Sequence, residues 1–192
     1  MNTKAKIKIV GISGSLRSDS YNRKALQVAK QIALNMGIET SEVDLKELNL
    51  PLYDGDIEAR GFPDPVEKLR DAVKSSDMLL IAAPEYNHSI SGALKNAIDW
   101  LSTEKNVLDG KSAVIFGVST GLFGTMRAQF HLRQILAALN VLVLPQPQIF
   151  IRSGKEAFNP DGSLIDQKVL EQLRNLINKT IAITEVFKTN NK

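Results

Sequence analysis

Asp77-Met78-Leu79-Leu80-Ile81-Ala82-Ala83-Pro84-Glu85-Tyr86-Asn87-His88-Ser89 is an apolar run that ends at a proline and turns abruptly polar. No polar residue interrupts Met78–Ala83, so there is no alternation to leave one face of a strand in water. A strand of this kind is covered on both faces, which is the environment of a central strand in a parallel sheet. Lys111–Ser119 repeats the pattern, and Lys6–Ser13 reads as a further strand at the start of the chain.

Between these strands lie stretches with helical spacing. Asn22–Met36 carries Ala25, Leu26, Ala29, Ile32, Ala33 and Met36 on one side, with Gly37 placed to stop it. A short strand is expected at Thr40–Leu45, followed by a long Pro/Gly-containing loop over Lys46–Pro63. Asp64, Pro65 and Glu67 supply a cap, a first-turn proline and an early acid, so the next helix starts there with Val66, Leu69 and Val73 inward. Ser91–Leu101 and Gly124–Leu139 are the following helices, Val141–Leu144 begins a fifth strand, and Asp166 is placed to cap a last helix striped by Val169, Leu173, Leu176 and Thr180. Five strands alternating with five helices predict an α/β, doubly wound, five-stranded parallel sheet of flavodoxin-like order 2-1-3-4-5, with helices on both faces.

The 192 residues suit one domain spanning 1–192. The chain has no cysteine and only two histidines, His88 and His131, so disulfides, iron–sulfur clusters and thiol nucleophiles are excluded and no metal site is expected. Redox chemistry then needs an organic cofactor. The formal charge of +3 is spread over scattered lysines and arginines, which speaks for small anionic ligands and against nucleic acid. The amino-terminal stretch Met1–Ile12 is broken by Lys6 and Lys8, and no apolar run approaches the ~20 residues of a membrane span; a cytoplasmic protein is the expectation.

Three strand ends run into loops that this topology places on one edge of the sheet. The first, Gly14-Ser15-Leu16-Arg17-Ser18-Asp19-Ser20-Tyr21-Asn22, precedes a helix whose free N–H groups attract an anion. Arg17 can offer a planar fork to phosphate oxygens, and Ser15, Ser20 and Asn22 single hydrogen bonds. The second, Pro84–Ser89, presents Tyr86 and backbone donors where a planar ligand can lie, with Glu85 and His88 expected to be solvated rather than catalytic. The third contains Gly117-Val118-Ser119-Thr120-Gly121, a literal G-x-S-x-G. A hydrolase elbow requires an acid and then a histidine downstream; no acid lies between Ser119 and His131 and no histidine follows His131, so Ser119 and Gly121 are read as close-approach positions for a ring. Neither the G-x-G-x-x-G nor the P-loop fingerprint occurs, which disfavours a permanently seated dinucleotide.

Gly14-Ser15-Leu16-Arg17 with Ser20 and Asn22, Pro84-Glu85-Tyr86-Asn87 with Ser89 and Gly92, and Leu94-Lys95-Asn96-Ala97-Ile98-Asp99-Trp100 together resemble the NADPH-dependent FMN reductase family. The resemblance runs on through Arg127-Ala128-Gln129 and Leu132-Arg133 to Pro145-Gln146-Pro147. It implies FMN as cofactor and NADPH or NADH as co-substrate. The FMN phosphate would be held by Ser15, Arg17, Ser20, Asn22 and the Tyr21 backbone, and the isoalloxazine by Pro84, Glu85, Tyr86 and Asn87, with Ser119 and Gly121 approaching from the third loop. It implies small acceptors (quinones, azo compounds, free flavin or metal oxyanions) and a homodimer or homotetramer, with Pro51, Leu52 and Tyr53 placed to pack on a neighbour; with the chemistry on the cofactor no catalytic side chain is required, and the missing dinucleotide fingerprint leads to the expectation of ping-pong hydride transfer. Thr125 departs from the family pattern, which often has a second glycine there. The competing reading is a flavodoxin-type electron carrier, which the basic charge and the absence of a threonine-rich loop disfavour.

Overall fold

The computed structural model describes residues 6–190, so residues 1–5 of the amino-terminal stretch discussed above lie outside the described residues. In chain order the elements are β1 (Lys8–Ser13), α1 (Tyr21–Asn35), β2 (Glu39–Val43), α2 (Leu45–Leu48), α3 (Gly55–Glu58), α4 (Asp64–Lys74), β3 (Met78–Ala82), β4 (Glu85–Tyr86), β5 (Ser89–Ile90), α5 (Gly92–Ser102), β6 (Ser112–Val118), α6 (Met126–Ala138), β7 (Leu142–Val143), β8 (Ile149–Ile151) and α7 (Gln167–Asn190). The main sheet is parallel in the order β2-β1-β3-β6-β7, and β8 also pairs with β6. Taken by position, this is the expected order 2-1-3-4-5. The fifth position is split into two short pieces because Pro145 and Pro147, which have no N–H to give to a ladder, stand between them.

Alternation along each strand sorts the core into two layers. Val10, Ile12, Leu79, Ile81, Ala113 and Ile115 face α4, α5 and α6, while Ile9, Met78, Leu80, Val114 and Phe116 face α1 and α7. Both faces are therefore covered, as the uninterrupted apolar runs require. Gly11 lies on the α1 side, where an added Cβ would stand 3.1 Å from Leu26 Cδ1 and force that side chain to give way.

Helix termini follow the sequence signals closely. Ser20 caps α1 by accepting from the Asn22 amide, Gly37 adopts φ 77° just beyond its end, and Asp166 Oδ1 accepts from the amides of Lys168 and Val169 at the start of α7. Asp64 differs from expectation: it is the first residue of α4 rather than its cap, and its side chain makes no capping bond. The segment expected as a plain loop, Lys46–Pro63, contains α3 and overlaps the end of α2. It is pinned to α5 through the Pro51 carbonyl, which accepts from Trp100 Nε1 at 2.8 Å and Asn96 Nδ2 at 2.9 Å, while Tyr53 meets the Trp100 ring edge-on. Among the described residues no helix is long and apolar enough to cross a membrane.

Candidate functional site

Register brings the three loops together. Ser13 pairs with Ala82 and Ala82 with Phe116, so β1, β3 and β6 end at nearly one level. The bonds Gly14 N–H to Ala82 O (2.9 Å) and Ala83 N–H to Phe116 O (2.8 Å) carry the ladder just past the strands before the chains diverge. Beyond them lies a cleft of about 300 Å³ bordered by Gly14, Leu16, Arg17, Tyr86, Ser91 and Ala93. Gly14 is required by this closeness, because a Cβ there would meet Pro84 Cδ at 2.9 Å and Leu94 Cβ at 3.0 Å.

In the first loop the amides of Leu16, Arg17, Ser18, Asp19, Ser20 and Tyr21 have no hydrogen-bond partner among the described residues. These unpaired donors run into the start of a 15-residue helix, whose dipole favours an anion. Arg17 is exposed and makes no hydrogen bond or ion pair to the described chain. Ser15 and Ser20 are buried. Tyr21 stacks on Phe158 with ring planes 2° apart. Asn22 is used differently from the expectation that its side chain gives a single bond to an anion. Its Nδ2 donates to Val118 O and its Oδ1 accepts from Val118 N–H, both at 3.0 Å. The amide thus extends the edge of β6 and locks α1 to it, 96 residues away in sequence.

The second loop leaves Pro84 buried and forms the hairpin β4–β5, whose turn residues Asn87 and His88 have φ 49° and 67°. Two successive left-handed residues are the signature of a type I′ hairpin turn. Tyr86 and His88 are exposed. Glu85 is not a solvated carboxylate. Its Oε2 accepts from the amides of Arg127 (3.0 Å) and Ala128 (3.3 Å), and its Oε1 from an Arg127 guanidinium nitrogen at 3.2 Å. It caps α6 from outside, in place of Thr125, which makes no side-chain cap bond. The sequence carries no signal for this, since the partners are 42 and 43 residues apart. Ser91, also missed, donates to Gly14 O at 2.6 Å and accepts from Leu94 N–H, so it ties the first loop to the start of α5.

The third loop is organised by Ser119, whose hydroxyl donates to Gly121 O and accepts from Gly124 N–H, both at 3.0 Å. The hydroxyl is committed to the loop and no imidazole is among its partners, so the G-x-S-x-G string is no hydrolase elbow. Gly121 is exposed with open space where a Cβ would stand. Thr125, in the place where a second glycine was expected, adopts φ 64° and is fully buried. A threonine is held there because its Oγ1 accepts from Gln129 Nε2 at 3.1 Å and fills the space that Gly117 leaves, where a Cβ would come within 2.0 Å of it. Leu122 and Phe123 project into solvent, and the Arg127 guanidinium lies 4.3 Å from the Phe123 ring centre.

Known proteins share this chain's sequence and fold. The chain is 47% identical over 170 residues to an NAD(P)H-dependent FMN reductase of Pseudomonas aeruginosa, covering 88% of this chain and 90% of that one. It is 40% identical over 173 residues to an NAD(P)H:quinone oxidoreductase of Solanum tuberosum, covering 88% of each. Among solved structures, a flavoenzyme NAD(P)H:(acceptor) oxidoreductase of Paracoccus denitrificans superposes with a TM-score of 0.84 at 32% identity, covering 94% of this chain and 98% of that one. Residues 7–156, from β1 to the turn after β8, match one family along their length, and the chain belongs to the NADPH-dependent FMN reductase family.

Proposed function

We propose that this protein is an FMN-containing NAD(P)H oxidoreductase that reduces quinones and related small acceptors. The observation that carries the reading is the row of six unpaired amides beside an unpartnered Arg17, at the mouth of a cleft walled by Tyr86. A dianionic phosphate suits that donor set, and a flat ring suits the cleft. Ser15, Arg17, Ser20 and the Tyr21 amide bind the phosphate, while Asn22 fixes the helix that presents it. Pro84, Glu85, Tyr86 and Asn87 shape the wall for the ring, and Ser119 and Gly121 line it from the third loop.

Bound FMN would supply two-electron redox chemistry between NAD(P)H and the acceptor, and the residues of the three loops would bind and orient it. Glu85 is spent on α6 and His88 stands in solvent, so no proton donor is assigned among them. The exposed apolar side chains Leu16, Leu52, Tyr86, Leu122 and Phe123, on the loops at the strand ends and in the segment after β2, favour a homodimer or homotetramer, in a single-domain cytoplasmic enzyme. The test is the absorbance spectrum of the purified protein, followed by anaerobic NADPH and then a benzoquinone. Flavin bands that bleach with NADPH and return with quinone are expected; a protein that binds no FMN, or whose bound FMN does not bleach, refutes the reading.

A further inference from the structure

Arg23 is the third residue of α1, and its side chain leaves the helix toward the back of the first loop. Its Nε donates to the Ser15 carbonyl at 3.4 Å, and a terminal nitrogen donates to Asp44 Oδ1 at 2.5 Å. Asp44 directly follows β2 and caps α2, where its Oδ1 also accepts from the Lys46 amide at 2.8 Å. Lys46 in turn reaches back, and its Nζ donates to Ser18 Oγ at 2.8 Å. A loop whose own amides are unpaired is thus held from behind at two points, one on each side of Arg17. Both holds are tied to residues 44–46, one through Arg23 and Asp44 and the other through Lys46.

We propose that Arg23 and Asp44 are positioning residues that pre-shape this loop for a phosphate, and so set the preference for FMN over its dephosphorylated form, riboflavin. The inference rests on the phosphate reading of the loop given above. The physical reason is conformational: a loop whose amides are unpaired has competing shapes, and each lowers the population that can bind. The Arg23 fork removes that freedom by gripping the Ser15 carbonyl from a helix and anchoring to a carboxylate on a different element. Only about a quarter of the Arg23 side chain and a fifth of that of Asp44 is exposed, which limits how far either can swing. Its charge is already met by Asp44, so Arg23 serves as a strut, whereas Arg17 makes no hydrogen bond or ion pair and can turn its guanidinium to a ligand.

The experiment measures dissociation constants for FMN and riboflavin, by flavin fluorescence, on flavin-depleted wild type, Arg17→Ala, Arg23→Ala, Arg23→Lys, Asp44→Asn and the Arg23→Ala/Asp44→Asn pair. Asparagine still caps α2, so Asp44→Asn removes the charge and keeps the helix start. The proposal expects Arg23→Ala and Asp44→Asn each to lower the FMN-over-riboflavin preference by on the order of tenfold, with riboflavin affinity held within twofold. The double variant should be no worse than the poorer single, since both break one strut. Arg23→Lys keeps the Asp44 pair but not the second contact and should fall between; with Asp44→Asn it decides the matter where Arg23→Ala does not fold. Full FMN preference in the Arg23 and Asp44 variants, alongside its loss in Arg17→Ala, overturns the strut and leaves the phosphate reading standing. A tighter FMN complex in Asp44→Asn also overturns it, because Arg23 would then be a direct ligand held back by Asp44. No FMN preference in the wild type would remove the phosphate reading itself.

Discussion

Replacing Glu85 with alanine tests how the second and third loops are joined. The carboxylate accepts from two amides at the start of α6 and from the Arg127 side chain, and with Thr125 making no cap bond it is the side-chain cap that this helix end has. Loss of an N-cap costs about 1 kcal/mol. Removal of a negative charge from a helix N-terminus adds about 0.3–1 kcal/mol. The contact with Arg127, whose side chain is 36% exposed, adds no more than about 0.5 kcal/mol after screening. Glu85→Ala should therefore lose about 2 kcal/mol, which for a chain of this size is a fall of roughly 4–8 °C in Tm. Arg127→Ala removes only the ion pair and the Phe123 contact and should cost about half as much. Glu85→Gln keeps an acceptor for the amides without the charge and should lie near Arg127→Ala. Thermal unfolding of the flavin-depleted proteins measures all three. A Glu85→Ala midpoint within 1 °C of wild type, or a fall in Arg127→Ala as large as in Glu85→Ala, would refute the capping argument. With FMN bound, Glu85→Gln should retain much of its reductase activity, and a drop of more than about a hundredfold in kcat would reveal an acid–base role that the geometry does not assign.

Arg17→Ala should raise the Kd for FMN at least tenfold, since a charge-assisted bond is worth about 1.5–3 kcal/mol, while Arg127→Ala should change it less; fluorescence titration decides. Gly117→Ala should fail to fold or lose several degrees of Tm, because its Cβ would stand 2.0 Å from Thr125 Oγ1 and 2.4 Å from Ala83 O, whereas Gly121→Ala meets nothing within 4 Å and should leave Tm within about 2 °C. Burial pushes the Asp44 carboxyl up, but the Arg23 hydrogen bond and the Lys46 amide outweigh it and hold the group below its ordinary value. A depressed carboxyl adds stability at neutral pH that is lost as pH falls through and below about 4, so the stability gap between wild type and Asp44→Asn should close over that range in acid titrations followed by circular dichroism. Initial-rate kinetics with NAD(P)H and a quinone should give parallel double-reciprocal lines, as expected where the two substrates take turns at one cleft; intersecting lines would show separate sites.

Much of the site was legible because its parts are local. Ser20 capping α1, the glycine after its end and the three loops following buried strands are all consequences of neighbours within a few residues. The parts misread are the long-range ones. Glu85 looks like any loop carboxylate until α6 is placed over it, and Asn22 looks like a phosphate donor until β6 is found alongside. Arg23 and Asp44 carry no motif; only the pairing of β1 with β2 sets the end of β2 beside the start of α1.

The sequence by itself determined the sheet, its order and the edge on which the three polar loops meet. Uninterrupted apolar runs can be satisfied only between two helical layers, and helical spacing between them leaves little choice of connection. Tertiary structure decided which polar groups remain for a ligand. Every polar side chain in the three loops can donate or accept, and whether it does so toward the protein or toward solvent depends on what the fold brings within about 3 Å. Asn22, Glu85 and Ser119 are consumed by the protein in this way, while Arg17 and the amides from Leu16 to Tyr21 are left free.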